Sequence, residues 1–189
     1  MKFDLKRLFA PILCIFTGIA SLLLMLVNYA AVALGLEDAA LSGFDLIKFG
    51  DGSAKAAVEA VLSLFGKEVG GGFLFALISV FEILAIVLSA ALILLGTLAL
   101  LREIKLVDVF AKLKVDSDKA CGLAITVSFA LSMIIAICTL ILTFMNLYKI
   151  DAFNVYVGFK PHVGFYILPV FSSLAVLAYF FVGKQNGEK

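Results

Sequence analysis

Four apolar stretches, each long enough to cross a lipid bilayer, occupy most of this chain: residues 8–36, 73–101, 120–147 and 163–182. A spanning helix needs about 20 predominantly apolar residues at ~1.5 Å rise per residue, and every stretch meets or exceeds that length. The only formal charge inside them is the carboxyl of Glu82, in the second. With 63% hydrophobic and 15% charged residues in 189, the apolar surface exceeds what a water-soluble core hides, so lipid is the solvent the composition demands. The expected fold is an all-α membrane bundle of four transmembrane helices, forming a single domain over residues 1–189.

The charges between the stretches set the orientation. The N-terminus (Lys2, Lys6, Arg7), the second loop (Arg102, Lys105, Lys112, Lys114, Lys119) and the tail (Lys184, Lys189) hold ten of the fifteen basic residues; Lys48, Lys55, Lys67, Lys149 and Lys160 fall in the first and third loops. Basic residues flanking spans stay preferentially on the cytoplasmic side, so both termini are expected in the cytoplasm, in a multi-pass protein of the plasma membrane. Lys2, Lys6 and Arg7 ahead of an apolar run that reaches Ala31-Val32-Ala33 have the outline of a secretory signal. The run is far longer than the roughly 7–15 residues such a segment uses, and it reads as a span.

The loops carry their own patterns. In the first, the aromatic and branched residues between Gly43 and Gly50 predict a short strand over 44–49. Beyond Asp51-Gly52, Ala54, Ala57, Val58, Val61, Leu62 and Phe65 recur at helical spacing opposite Lys55, Glu59 and Ser63, which predicts an amphipathic helix over 53–65. At roughly 20 Å it is too short to span, and packing onto the other outer loop is favoured over a dedicated role at the lipid surface. The third loop alternates Phe153, Val155, Val157 and Phe159 with polar or small residues, predicting a strand over 153–159 ended by Pro161. Pairing of this strand with 44–49 would give a small outer sheet. Pro11 is expected in the first turn of span 1. Span 2 is expected to continue as a helix past Arg102, with Leu106, Phe110 and Leu113 as its apolar stripe. Asp116 and Ser117 provide a start signal for span 3.

Glu82 is the one candidate for chemistry. An ionised carboxylate in hydrocarbon costs at least a few kcal/mol, so such a group faces the bundle interior, finds donors or stays protonated. Counting the same depth along the other spans reaches Asn28, Thr139, Ser172 and Ser173, a candidate polar layer around Glu82. Such a group either carries a proton or a cationic substrate, or acts structurally as a hydrogen-bonding peg; a lone acid without a second titratable group favours the structural role. Tyr29, Tyr148, Tyr156 and Tyr166 sit toward the outer interface, where amphipathic rings anchor. Catalytic templates fail: there is no histidine at membrane depth, no pair of facing acids and no glycine cradle with a lysine. Cys14, Cys121 and Cys138 form no C-x-x-C and read as small apolar fillers. With a single histidine, no metal or other cofactor is expected. No basic, aromatic-interleaved patch suits nucleic acid.

Four spans, cytoplasmic termini, a long first outer loop and a shorter second one with a strand resemble the claudin-type tetraspan plan. The chain lacks that family's Gly-Leu-Trp signature and its two first-loop cysteines, so the resemblance implies a layout and transfers no site. The expected function is that of a non-enzymatic structural or interaction protein, with the bilayer and a membrane protein or a second copy of the chain as partners. The alternative is a small proton-coupled transporter or channel-like protein that uses Glu82.

Overall fold

The computed structural model describes residues 5–35, 38–47, 54–106, 109–113, 115–151 and 154–187. In chain order the elements are α1 (Leu5–Leu24), β1 (Asn28–Gly35), β2 (Asp38–Ser42), α2 (Gly43–Ile47), α3 (Ala54–Ser63), α4 (Gly72–Glu103), α5 (Val109–Leu113), α6 (Ser117–Asn146), β3 (Leu147–Ile150), β4 (Val155–Pro161) and α7 (Val163–Gly187). Three of them, α4, α6 and α7, are long and apolar enough to cross a membrane. Their outer surfaces expose large apolar side chains such as Leu94, Leu123, Phe144, Leu174 and Phe181, a coat that water would penalise and lipid accepts. The chain divides into two compact units: a helical unit (Met1–Leu22, Ala85–Leu131, Val170–Lys189) and a sheet unit (Leu23–Leu84, Ser132–Pro169).

The helical unit is held by close backbone approach. A Cβ on Gly18 of α1 would lie 2.7 Å from the Ser89 carbonyl oxygen of α4, and one on Gly96 of α4 would lie 2.7 Å from the Pro11 carbonyl oxygen of α1. Small residues at helix crossings are the usual means of association in lipid, where burial of apolar surface supplies no drive. Gly122 of α6 similarly leaves room for the ring of Tyr179 in α7, whose hydroxyl donates to the Asp118 carbonyl at 3.0 Å. Pro11 lies inside α1, not in its first turn, so the carbonyl four residues back has no helical donor.

Helix α4 does not run on past Arg102 as the sequence suggested. It ends at Glu103, where Lys105 takes a left-handed φ of 59°. The Lys105 and Leu106 N–H groups then bond to the Arg102 and Leu101 carbonyls at 2.9 and 3.0 Å, the paired capping pattern that normally recruits glycine. Phe110, on the separate α5, is buried, whereas Leu106 is exposed. The start of α6 is as expected: Asp116 Oδ1 accepts the Asp118 N–H at 3.0 Å.

The sheet unit departs most from expectation. The apolar stretch 8–36 is not one helix; α1 stops at Leu24 and Asn28–Gly35 become β1, a central strand of a four-stranded antiparallel sheet in the order β2-β1-β4-β3. Four consecutive residues of β1, Ala30 to Ala33, are at most 2% exposed, so both faces of the strand are covered. Such a strand reads as a continuous apolar run, indistinguishable by periodicity from membrane helix. The strand expected over 44–49 is likewise corrected. Gly43–Ile47 form α2, and residues 48–49 lie outside the described residues. Ser42 and Asp45 make a capping box: Asp45 Oδ2 accepts the Ser42 N–H at 3.0 Å and its hydroxyl at 2.8 Å, which satisfies helix-start donors and overrides the strand-like composition. The expected pairing of 44–49 with 153–159 is thus replaced by β1 and β3 on either side of β4.

Two expected elements are present with shifted bounds: the helix of 53–65 ends at Ser63, the strand of 153–159 runs from Val155 through Pro161, and residues 53 and 153 lie outside the described residues. Helix α3 (Ala54–Ser63) has Val58 and Leu62 fully buried and packs against β1 and β4, while Lys55 and Glu59 pair on its other side at 3.2 Å. β4 buries Val157 and Phe159 and exposes Tyr156, and Phe159 meets Phe75 of α4 edge-on at 5.5 Å.

Gly158 occupies the tightest point of the sheet. Its φ is +116°, and a Cβ there would strike the Asn146 carbonyl oxygen at the end of α6. Gly158→Ala is expected to destabilise by roughly 2–4 kcal/mol, combining backbone strain and overpacking. Gly66, which caps α3 with φ +64° and has open space around it, should lose only about 1 kcal/mol as Ala. Thermal unfolding of both variants in the same detergent checks the order.

Candidate functional site

At the start of α4 the buried positions Phe75, Ile78, Ser79 and Glu82 recur at helical spacing, so the Glu82 carboxyl is directed into protein and away from lipid. It is 1% exposed, and its Oε1 has no hydrogen-bond partner among the described residues. One turn earlier, Ser79 donates its hydroxyl to the Ile47 carbonyl at 3.0 Å, tying α4 to the last residue of α2. The carboxyl therefore sits in a place where an unpaired charge is costly.

The other polar-layer residues are placed as follows. Asn28 and Thr139 share the sheet unit with Glu82, whereas Ser172 and Ser173 belong to the helical unit. Asn28 opens β1 opposite Ser42; its side chain lies outside the described residues. Thr139 is fully buried and donates to the Ile135 carbonyl at 2.9 Å. Ser172 is buried, and Ser173 donates to the Val170 carbonyl at 2.7 Å. A hydroxyl has one proton, so Thr139 and Ser173, as placed, spend theirs on their own helices.

Sequence reasoning missed Asn146, a polar side chain of the sheet unit that makes three hydrogen bonds. It is 0% exposed at the last position of α6. Its Oδ1 accepts the Gly70 N–H at 2.8 Å, while its Nδ2 donates to the Gly70 and Leu142 carbonyls at 3.1 and 2.9 Å. The carboxamide thus reproduces a strand-like pairing with the glycine linker that precedes α4. An asparagine closing an apolar run, facing a Gly70-Gly71-Gly72 segment elsewhere, was the available signal. In the sheet, Lys160 pairs with Asp38 at 2.6 Å, and Lys67 stands over the Tyr148 ring at 5.5 Å. His162 leaves Nδ1 buried without a partner among the described residues.

Among the described residues, no group of three or more His, Cys, Asp or Glu side chains is placed to hold a metal ion. The chain matches no protein-family model, no curated protein and no solved structure, so its function has to be argued from its own residues.

Asn146→Ala removes three bonds and leaves both backbone groups of the half-buried Gly70 without this partner. A loss of about 2–4 kcal/mol is expected, read as a lowered unfolding temperature in detergent. Asn146→Asp, which keeps the acceptor for the Gly70 N–H but places a charge there, should be no better tolerated.

Proposed function

We propose that this is a non-enzymatic, four-span protein of the plasma membrane, with both termini cytoplasmic, that works by associating with another membrane protein or with a second copy of itself. α1 supplies the fourth span. Its apolar part, Leu8–Leu24, is about 26 Å long at 1.5 Å per residue, within the lower range that crosses a bilayer. The ten-to-five division of basic residues supports the orientation.

The observation that carries the reading is the edge of the sheet. β2 ends the strand order, so one row of its backbone groups faces no strand among the described residues, and Asp38, Ala39 and Ala40 are exposed along it. Edge strands of soluble proteins are normally guarded by charge. Here the one charge on β2, Asp38, is engaged by Lys160, leaving an alanine edge of the kind that accepts an added strand. Purification in mild detergent should yield a homo-oligomer or a defined companion protein, and the exposed double substitution Ala39→Lys/Ala40→Lys should abolish that association while leaving the unfolding temperature within a few degrees. A chain that runs as a lone monomer under every mild condition would refute the proposal. Reagents that do not cross the membrane should label tags at Met1 and Lys189 only after the cell is opened.

A second reading rests on one observation, the buried Oε1 of Glu82 that has no partner among the described residues: a proton-coupled carrier in which this carboxyl is the loaded group. Glu82→Gln keeps size and hydrogen bonding. Proton-coupled flux into proteoliposomes that survives this change intact removes the carrier reading, whereas its loss with an unchanged fold favours it.

A further inference from the structure

The geometry points to the turn that ends α3 as a lipid anchor: Leu64 and Phe65 insert into the acyl region of the leaflet on the sheet's side of the bilayer. α3 itself buries Val58 and Leu62 and packs on β1 and β4, yet Leu64 is 81% exposed and Phe65 40%. The helix cap holds them there. The Lys67 N–H bonds to the Leu62 carbonyl at 3.0 Å and the Gly66 N–H to the Ser63 carbonyl at 3.1 Å, with Gly66 at a left-handed φ of 64°. This double closure usually brings an apolar residue after the glycine back against the helix. Here that position is Lys67, whose ammonium stands over the Tyr148 ring at 5.5 Å instead. The cap is complete without an apolar contact, and Leu64 is left on the surface.

The surface beside the turn identifies lipid as its occupant. The linker that follows runs along the sheet-side ends of two membrane-length helices, all within the sheet unit. A Cβ on Gly70 would lie 3.1 Å from Met145 Cε, and one on Gly71 would lie 3.1 Å from Met145 Sδ and 3.2 Å from Leu142 Cδ2, on α6; Gly72 then opens α4. Phe144 and Phe73, at those two helix ends, are 85% and 75% exposed, so the apolar coat of α4 and α6 reaches the level of the linker. At most about 11 Å of backbone separates Leu64 from Lys67, which places the turn against that coat. Lys67 and Tyr148 are residue types that settle at a headgroup boundary, with an apolar stem or ring below and a polar tip above. A leucine so exposed is favoured in hydrocarbon over water, and apolar side chains beside a cation are the means by which surface segments hold to a bilayer. The anchor needs α4 and α6 to be membrane spans and does not need the association proposed above.

The chain contains no tryptophan, so a single introduced one reports without background. In the full chain, reconstituted into phosphatidylcholine nanodiscs that leave both faces open to solution, Leu64→Trp should emit as far to the blue as Phe144→Trp, the lipid-facing reference. It should lose most of its emission when the acyl chains carry bromine and be spared by aqueous iodide. Asp151→Trp, at a position whose native side chain is 91% exposed, is the aqueous reference, quenched by iodide and spared by brominated lipid. The unaltered chain gives a readout that needs no variant to fold: phosphatidylcholine with a photoactivated carbene source in its acyl chain should label Leu64 or Phe65 within the tryptic peptide of residues 56–67. Red emission with iodide quenching at position 64, blue emission that neither quencher reaches because protein covers the turn, or a peptide 56–67 free of label would overturn the proposal.

Discussion

Polar side chains in this protein answer first to their own helices. Thr17 donates to Leu13, Ser89 to Ala85, Thr97 to Ile93, Thr126 to Gly122, Thr139 to Ile135 and Thr143 to Thr139, each to the carbonyl four residues back at 2.7–2.9 Å. In an apolar surround a hydroxyl without a partner costs several kcal/mol, and the preceding turn is always within reach. This local satisfaction frees the helices to associate through shape. Glycines at the α1–α4 crossing and beneath Tyr179 then do what hydrophobic burial does in water. Ser79, Asn146 and Tyr179 reach instead to other segments, and Ser21, Glu82 and His162 each have a buried atom with no partner among the described residues; of these three, Glu82 alone can carry a full negative charge.

Much of the layout was legible because it followed from length and period. The spans of α4, α6 and α7 needed only a count of apolar residues, and α3 and β4 announced themselves through spacings of 3.6 and 2. β1 was hidden for a physical reason: residues 30–33 are enclosed on both faces, which erases the alternation that marks a half-buried strand. α2 was misjudged although its signal was present, since Ser42 and Asp45 stand at capping-box spacing. The break after Glu103 could not be seen, because a lysine fills the left-handed position where glycine would have marked it.

The candidate site was legible to a smaller degree. That Glu82 should turn away from lipid follows from desolvation alone, and its burial in the sheet unit agrees. Which groups surround it does not follow from counting depth along straight helices, since Asn28 lies on a strand and not on a helix. Asn146 and the glycine run were each visible, but their pairing was not, because that bond depends on a linker folding back upon a helix end.

The passage from α6 to β3 occurs without a single intervening residue: the helix ends at Asn146 and the strand begins at Leu147. Gly158 is pressed against the same carbonyl, and Gly70 is clasped by the same side chain. With no spare residue at this joint, the side chain and carbonyl of Asn146 fix at once where the helix stops, where the strand starts and where the Gly70 segment lies.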